Sequence, residues 1–267
     1  MLCPEAREHR TVDGMPPAAL MDARFIDKRG PHRLRYADQM GTRCNTNRFQ
    51  RVRDLGIELL AKNGIELETR SRSKEPLLVG SGRYAEVYGI KGEDWVVKIT
   101  GDKTEAVAWA RVAQATREGE VDAMDMKALG EVKCVYLIQA KRSEDRDLYA
   151  IIMKRYTGLS RPEKSLVEQI DRLILVGDAT AGIEPCMQAP YLAQSEALRL
   201  AKKRTSIKNA EDQARSLIET FQNLAKIGVF IYDIHGDNAM KGEDGQWRIT
   251  DIGVAEVAYP ISLPVLS

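Results

Sequence analysis

Apolar residues first recur at a regular interval from Asn47 onward. Phe49, Val52, Leu55, Leu59 and Leu60 fall at the spacing of one helix face, and Asn63-Gly64 supplies a stop. Beyond Pro76 the interval shortens to that of strands. Leu77-Leu78-Val79 runs into Gly80-Ser81-Gly82, and residues 85–90 and 95–100 are β-type runs joined by the turn Lys91-Gly92-Glu93-Asp94. Asp102 followed by Glu105 is a helix-opening cap with an acid three residues on. Val107, Ala110, Val112, Ala113, Val121, Met124 and Leu129 predict the buried side of that helix, across a break near Gly119. Strand-like runs return at 132–139 and 148–156, on either side of a charged loop at 141–147. From Ser160 the period becomes helical. Ser160-Arg161-Pro162-Glu163 reads as a capping box with proline in the first turn, and helices are predicted over 162–176, 190–204 and 208–227. A run at 229–234 and a hairpin around Gly242-Glu243-Asp244-Gly245 follow. Strands with one helix, then a helical half, predict an α+β fold.

A chain of 267 residues, 43% hydrophobic and 30% charged, has room for a sizeable core in one domain of two lobes. Its longest uninterrupted apolar stretch, 227–232, is six residues, whereas a spanning helix needs about 20, so a membrane partner is not expected. The charged first ten residues lead into no apolar segment, so no secretory signal is expected either. Cys3, Cys44, Cys134 and Cys186 form no CxxC pair, which argues against a zinc site or disulfide framework and for a reducing cytoplasm.

With 40 Lys/Arg against 39 Asp/Glu, the whole chain makes no electrostatic case for nucleic acid. Its beginning differs: Arg24 to Arg53 holds nine bases and two acids, and the first 45 residues combine prolines and glycines with no apolar period. Residues 1–46 are therefore expected to be a loosely ordered basic arm, followed by a helix and short strand at 47–75. Such an arm can bind a phosphate backbone non-specifically. Only Phe25, Tyr36 and Phe49 are present for base stacking, so a solvated or docking arm is the favoured reading and nucleic acid the alternative.

Four local signals carry chemistry, in order along the chain. The first is the strand–turn–strand element Gly80-Ser81-Gly82-Arg83-Tyr84-Ala85-Glu86-Val87, whose glycines let backbone N–H groups approach phosphate oxygens. The second is Val96-Val97-Lys98-Ile99: an ammonium centred in an apolar strand calls for an anionic partner. The third is Asp233-Ile234-His235-Gly236-Asp237-Asn238 after an apolar run. Its aspartate can accept a hydrogen bond from an attacking hydroxyl, and its asparagine can ligate a divalent metal. The fourth is Thr250-Asp251-Ile252-Gly253, across a hairpin expected to return Asp251 beside Asn238, where hard oxygens suit Mg²⁺. Reading Asp233, His235 and Asp237 as a hydrolase metal cluster instead leaves Lys98, the glycine turn and Asp251 without a role.

In this order, from Leu77 to Gly253, the motifs resemble those of the protein kinase superfamily. The resemblance implies a two-lobe fold, with an antiparallel sheet and one main helix at 76–156 and a helical lobe at 157–267. It implies ATP and Mg²⁺ as cofactors, Asp233 as catalytic aspartate, Lys98 on the ATP phosphates, and Asn238 and Asp251 on the metal. Glu120, with Glu118 as the alternative, becomes the carboxylate that pairs with Lys98. Gly80, Ser81, Gly82 and Val87 form the lid over the nucleotide, Met153 is the gatekeeper, and backbone groups of Lys154 to Tyr156 contact adenine.

The departures narrow the resemblance. Ile231-Tyr232-Asp233 stands where His-Arg-Asp is usual, so the arginine that receives an activating phosphate is missing. Ala85 replaces the third glycine and Ile252 the phenylalanine of the metal triplet. His235 takes the place of a lysine near the γ-phosphate and is counted among the catalytic candidates, as in the Asp-x-His pattern of atypical and lipid-associated kinases. Ser267 lies fourteen residues past Gly253, which leaves no room for an activation segment or later helices. The reduced large lobe resembles the minimal kinases of bacterial secreted effectors and of phage. The expectation is phosphoryl transfer to Ser/Thr of a protein substrate without activation-loop phosphorylation, in the cytoplasm of its own cell or of a host. A pseudokinase that binds nucleotide is the alternative, a small-molecule kinase a further one, and an activating protein partner for the short lobe stays open.

Overall fold

The structure, a computed structural model, describes residues 46–82, 85–122, 126–179, 191–231, 234–252, 255–258 and 261–267. The basic arm up to Asn45, Met124, Asp233 and Gly253 lie outside the described residues.

Helix α1 (Thr46–Lys62) ends where Asn63-Gly64 predicts, with the Ile65 N–H turned back to the Leu60 carbonyl. Five strands follow: β1 (Leu78–Ser81), β2 (Ala85–Gly89), β3 (Trp95–Thr100), β4 (Val132–Ile138) and β5 (Leu148–Lys154). They form one antiparallel sheet in the order β1-β2-β3-β5-β4. Alternation along the strands sorts side chains to two faces. Val97, Ile99, Ala150 and Ile152 share one face with Val52 and Leu60 of α1. Val96, Ile151 and Met153 take the other face, with Trp109 and Val112 of the helix that follows β3.

That helix, α2 (Lys103–Glu118), starts at Asp102, whose carboxylate accepts from the Thr104 and Glu105 N–H groups, and stops at Gly119 with φ 71°. Its buried side matches the predicted one only in part: Val112, Val121 and Leu129 are buried as expected. Glu105, Ala106, Ala108, Trp109, Arg111, Val112 and Ala115 are buried, while Val107, Ala110 and Ala113 are half-buried. The apolar pattern rewards bulk, but the helix approaches the sheet through alanines and draws in two charged residues that find partners there.

The second half contains β6 (Thr157–Gly158), α3 (Arg161–Ala179), α4 (Tyr191–Lys202) and α5 (Ala210–Lys226). Helix α4 packs between the other two. The capping box forms as predicted, with the Ser160 N–H donating to the Glu163 carboxylate at 2.9 Å. Strand β7 (Val229–Ile231) then leads through a 3₁₀ turn at Gly236–Asn238 to the hairpin β8 (Ala239–Lys241) and β9 (Trp247–Ile249). β6 lies on the outer side of β8. A further strand, β10 (Ala255–Val257), pairs antiparallel with β7 and packs against α2.

The last residues run along β4. Leu137 donates to the Pro264 carbonyl and accepts from the Leu266 N–H, both at 2.9 Å, and Leu266 is buried beside α1. The fold is mixed α+β, and no helix of the described residues is long and apolar enough to cross a membrane.

Candidate active site

Lys98 sits in the middle of β3 on the face that looks toward α2, by the same alternation that buries Val96. It is 6% exposed. A buried ammonium needs anionic partners, and two converge: Glu105 Oε1 at 2.5 Å and Asp251 Oδ2 at 2.7 Å. Burial alone would depress the Lys98 pKa, but the two carboxylates outweigh it and hold the ammonium above its ordinary range. Glu105 moves the opposite way from a simple ion pair. Burial pushes its pKa up, Lys98 pulls it back in part, and neighbouring Asp251 and Asp102 add to the rise.

The expected partner was another residue. Glu120 forks onto Arg111, and Glu118 accepts from Gln114. Geometry explains the correction. The first turn of α2 folds back over the end of β3, whereas Glu118 lies thirteen residues further along the helix, about 20 Å of rise. Glu105 also leaves the capping box incomplete, since the Asp102 N–H bonds to Thr100 Oγ1 and frees the Glu105 carboxylate for Lys98.

The hairpin expectation holds. Ala239 faces Ile249 in the β8–β9 register, so Asn238 and Thr250 lie just below that rung. The Asn238 carbonyl accepts from the Thr250 N–H at 2.8 Å and the Asp251 N–H at 3.4 Å. Asn238 is buried and the Asp251 side chain is 38% exposed. Backbone hydrogen bonds thus join Asn238 to Asp251, whose carboxylate reaches solvent; amide and carboxylate oxygens are ligand types that suit Mg²⁺, which keeps waters and phosphate oxygens in its shell. No group of three His, Cys, Asp or Glu that could hold a metal unaided occurs among the described residues. Asp237 is ion-paired with Lys164, and His235 is exposed at the entry to the 3₁₀ turn. Asp233 is outside the described residues, between Ile231 of β7 and Ile234.

Above Lys98, Val87 pairs with it across β2–β3 and with Gly80 across β1–β2. Ser81 closes β1, and the Gly82 N–H bonds to the Ala85 carbonyl. A Cβ added at Gly82 would meet nothing within 4 Å, and one at Gly80 only Val87 at 3.7 Å. The fold itself makes no use of these missing side chains. Met153 is buried opposite Val96. The Lys154 and Arg155 N–H groups bond to the Glu131 and Asp94 carbonyls, and the Tyr156 hydroxyl accepts from the Glu131 N–H. A base at this edge would have to use other groups of the segment.

The chain matches no protein-family model and no curated protein.

Sequence reasoning missed the group that holds the hairpin. Glu163 accepts from Ser160, from Lys241 Nζ at 2.6 Å and from Trp247 Nε1 at 3.3 Å. Lys241 and Trp247 are opposite one another on β8 and β9. Four donors, the Ser160 N–H and hydroxyl, Lys241 and Trp247, pull the Glu163 pKa down to about 2 against the effect of burial. Its capping-box signature was legible; its reach to the hairpin was not.

Proposed function

We propose that this protein is an ATP- and Mg²⁺-dependent phosphotransferase with a protein-kinase-like two-lobe arrangement, acting on Ser or Thr of a protein substrate. The observation that carries the reading is the ion-paired cluster of Lys98 with Glu105 and Asp251, assembled next to Asn238 and under a glycine turn. A lysine has three donors, and two are occupied by carboxylates whose positions aim the third. That arrangement suits α- and β-phosphate oxygens entering beneath Gly80–Gly82, where a ligand can use the space that side chains would fill. Mg²⁺, bound through Asn238 and Asp251, would offset charge on the transferring phosphate. Asp233, at the end of the segment that follows β7, would accept the hydroxyl proton of the acceptor and orient it. His235, two residues on and exposed, would meet the γ-phosphate side of the same opening.

The test is incubation with γ-labelled ATP, Mg²⁺ and a generic protein acceptor, wild type beside Asp233→Ala. Label on Ser or Thr that disappears in the variant supports the proposal. Nucleotide binding with no transfer to any acceptor would replace it with a nucleotide-binding module, and transfer to small molecules alone would reassign the substrate class.

A further inference from the structure

Helix α5 contributes three buried polar anchors at seven-residue intervals: Gln213, Thr220 and the carbonyl of Ile227, on which the helix ends. Seven residues are close to two helical turns, so the three lie on one stripe. Gln213 donates to the Gly245 carbonyl at 3.0 Å and accepts from the Trp247 N–H at 2.9 Å, gripping the turn of the β8–β9 hairpin. Thr220 Oγ1 accepts from the Ala128 N–H at 3.1 Å, beside Gly130, whose N–H bonds to Ile249 at the end of β9. The Ile227 carbonyl accepts from Arg111 Nε of α2 at 3.0 Å. One helix therefore holds the hairpin that leads to Asp251, the segment behind that hairpin, and the helix that carries Glu105.

Arg111 is the least expected of these contacts, a guanidinium only 7% exposed on a buried helix face that also carries Trp109, Val112 and alanines. Its position is favourable on two counts. A cation at a helix C-terminus meets an orphan carbonyl and the negative end of the helix dipole. Its other two nitrogens fork onto the Glu120 carboxylate, which orients the planar group. Beyond Ile227 the chain turns at Gly228, whose carbonyl accepts from Ala258 N–H, and enters β7 toward Asp233. Arg111 thus fastens α2 at the point where the chain enters that strand.

We infer that Arg111 is a positioning residue: by fastening α2 to the C-terminal end of α5, it keeps Glu105 against Lys98 before anything binds. The use made of Lys98 rests on the phosphotransferase reading; the placement itself does not, and it can be measured without turnover. The rival restraint on α2 is its packing against β4, β5 and β10, which would leave Glu105 in place when Arg111 is removed.

The experiment reads the rate at which Lys98 is acylated by a small amine-reactive ester, by peptide mass mapping. It compares wild type, Arg111→Met, Arg111→Lys and Glu120→Gln, with thermal unfolding of each recorded. Arg51→Met, which breaks an ion pair with Asp145, serves as the control for general loosening. Lys98 labelling is expected to rise roughly ten-fold or more in Arg111→Met, the scale of one buried charge-assisted hydrogen bond. Arg111→Lys should recover part of the protection, and Arg51→Met should not change it. Glu120 is 40% exposed at its side chain, so Glu120→Gln should fold in any case, and a rise of a few-fold is expected there. Wild-type labelling in folded Arg111→Met, or in Glu120→Gln if the first variant does not fold, would overturn the inference. If wild type transfers no phosphate while Lys98 labelling still responds to Arg111, the functional reading fails and the positioning role stands.

Discussion

Lys98 and Asp251, 153 residues apart in the chain, are joined by a 2.7 Å ion pair whose other arm is Glu105. The pair links the strand that carries Lys98 to the loop after β9, so the sheet and the helical half meet at charged groups as well as through the apolar core. Because Lys98 and Glu105 are almost wholly buried, the arm between those two is exposed to little screening by salt.

That geometry distinguishes the two acids at opposite ends of α2. Glu105→Gln is expected to leave Lys98 with one carboxylate and to lower kcat/KM for MgATP by roughly 10- to 100-fold, the range for a misoriented phosphate ligand. Glu118→Gln, whose carboxylate meets Gln114 and Glu120 rather than Lys98, should leave kcat/KM unchanged. Steady-state kinetics of the two variants decides which acid serves Lys98.

The glycine turn should separate stability from ligand binding. Gly82→Ala adds a Cβ into open space, so thermal unfolding should stay within about 0.5 kcal/mol of wild type, as for other harmless surface changes. Nucleotide affinity, measured by titration calorimetry, should fall. Equal affinity in Gly82→Ala would remove the glycine turn from the nucleotide site.

Gly236 is the reverse case. A Cβ there would lie 2.5 Å from Lys164 Cβ and 2.8 Å from its Cα and carbonyl oxygen, in the first turn of α3. Gly236→Ala must push the 3₁₀ turn that carries Asn238 away from α3. Overpacking of this kind costs about 1–3 kcal/mol, so a lower unfolding midpoint is expected. Transfer should be lost beyond what the remaining folded fraction explains.

Much of this arrangement is legible in the sequence because its signals are local. The stop at Asn63-Gly64, the cap at Asp102 and the box at Ser160–Glu163 each depend on a few adjacent residues, and the β8–β9 hairpin announces itself by its turn. What sequence could not supply is direction. The sequence favours Glu120, with Glu118 next, and leaves Glu105 as part of a cap; only when the helix is laid across the sheet does the strand end select the first turn. β10 is three residues long and pairs with β7, far back in the chain. The tail along β4 has one buried anchor, Leu266, and no periodic signal. Gln213 and Thr220 carry ordinary helix-surface chemistry and become anchors only once their partners are brought near.

Glu163 gives the protein an acid limit. Its carboxyl pKa lies at about 2 in the fold against 4.5 in the reference state, so the folded protein releases that proton more readily. The sign follows: the stabilisation is fully present above about pH 4.5 and drains away as pH falls toward about 2, with a ceiling of about 3 kcal/mol. Glu163→Gln should lower the urea midpoint at pH 7 and flatten its dependence between those two pH values. A variant with an unchanged slope over that window would show that the hairpin is not held by this charge.

The most direct test of the central claim is single-turnover transfer of label from ATP by Asp251→Asn beside wild type, with the unfolding midpoints of both recorded. Asparagine keeps the shape and removes the charge that pairs with Lys98 and that, on the proposed reading, would hold the metal. We expect a folded variant whose transfer is slower by roughly 100-fold or more, the loss that follows removal of one principal electrostatic group. A folded Asp251→Asn protein that transfers at the wild-type rate would contradict the assignment of this cluster as the phosphoryl-transfer site.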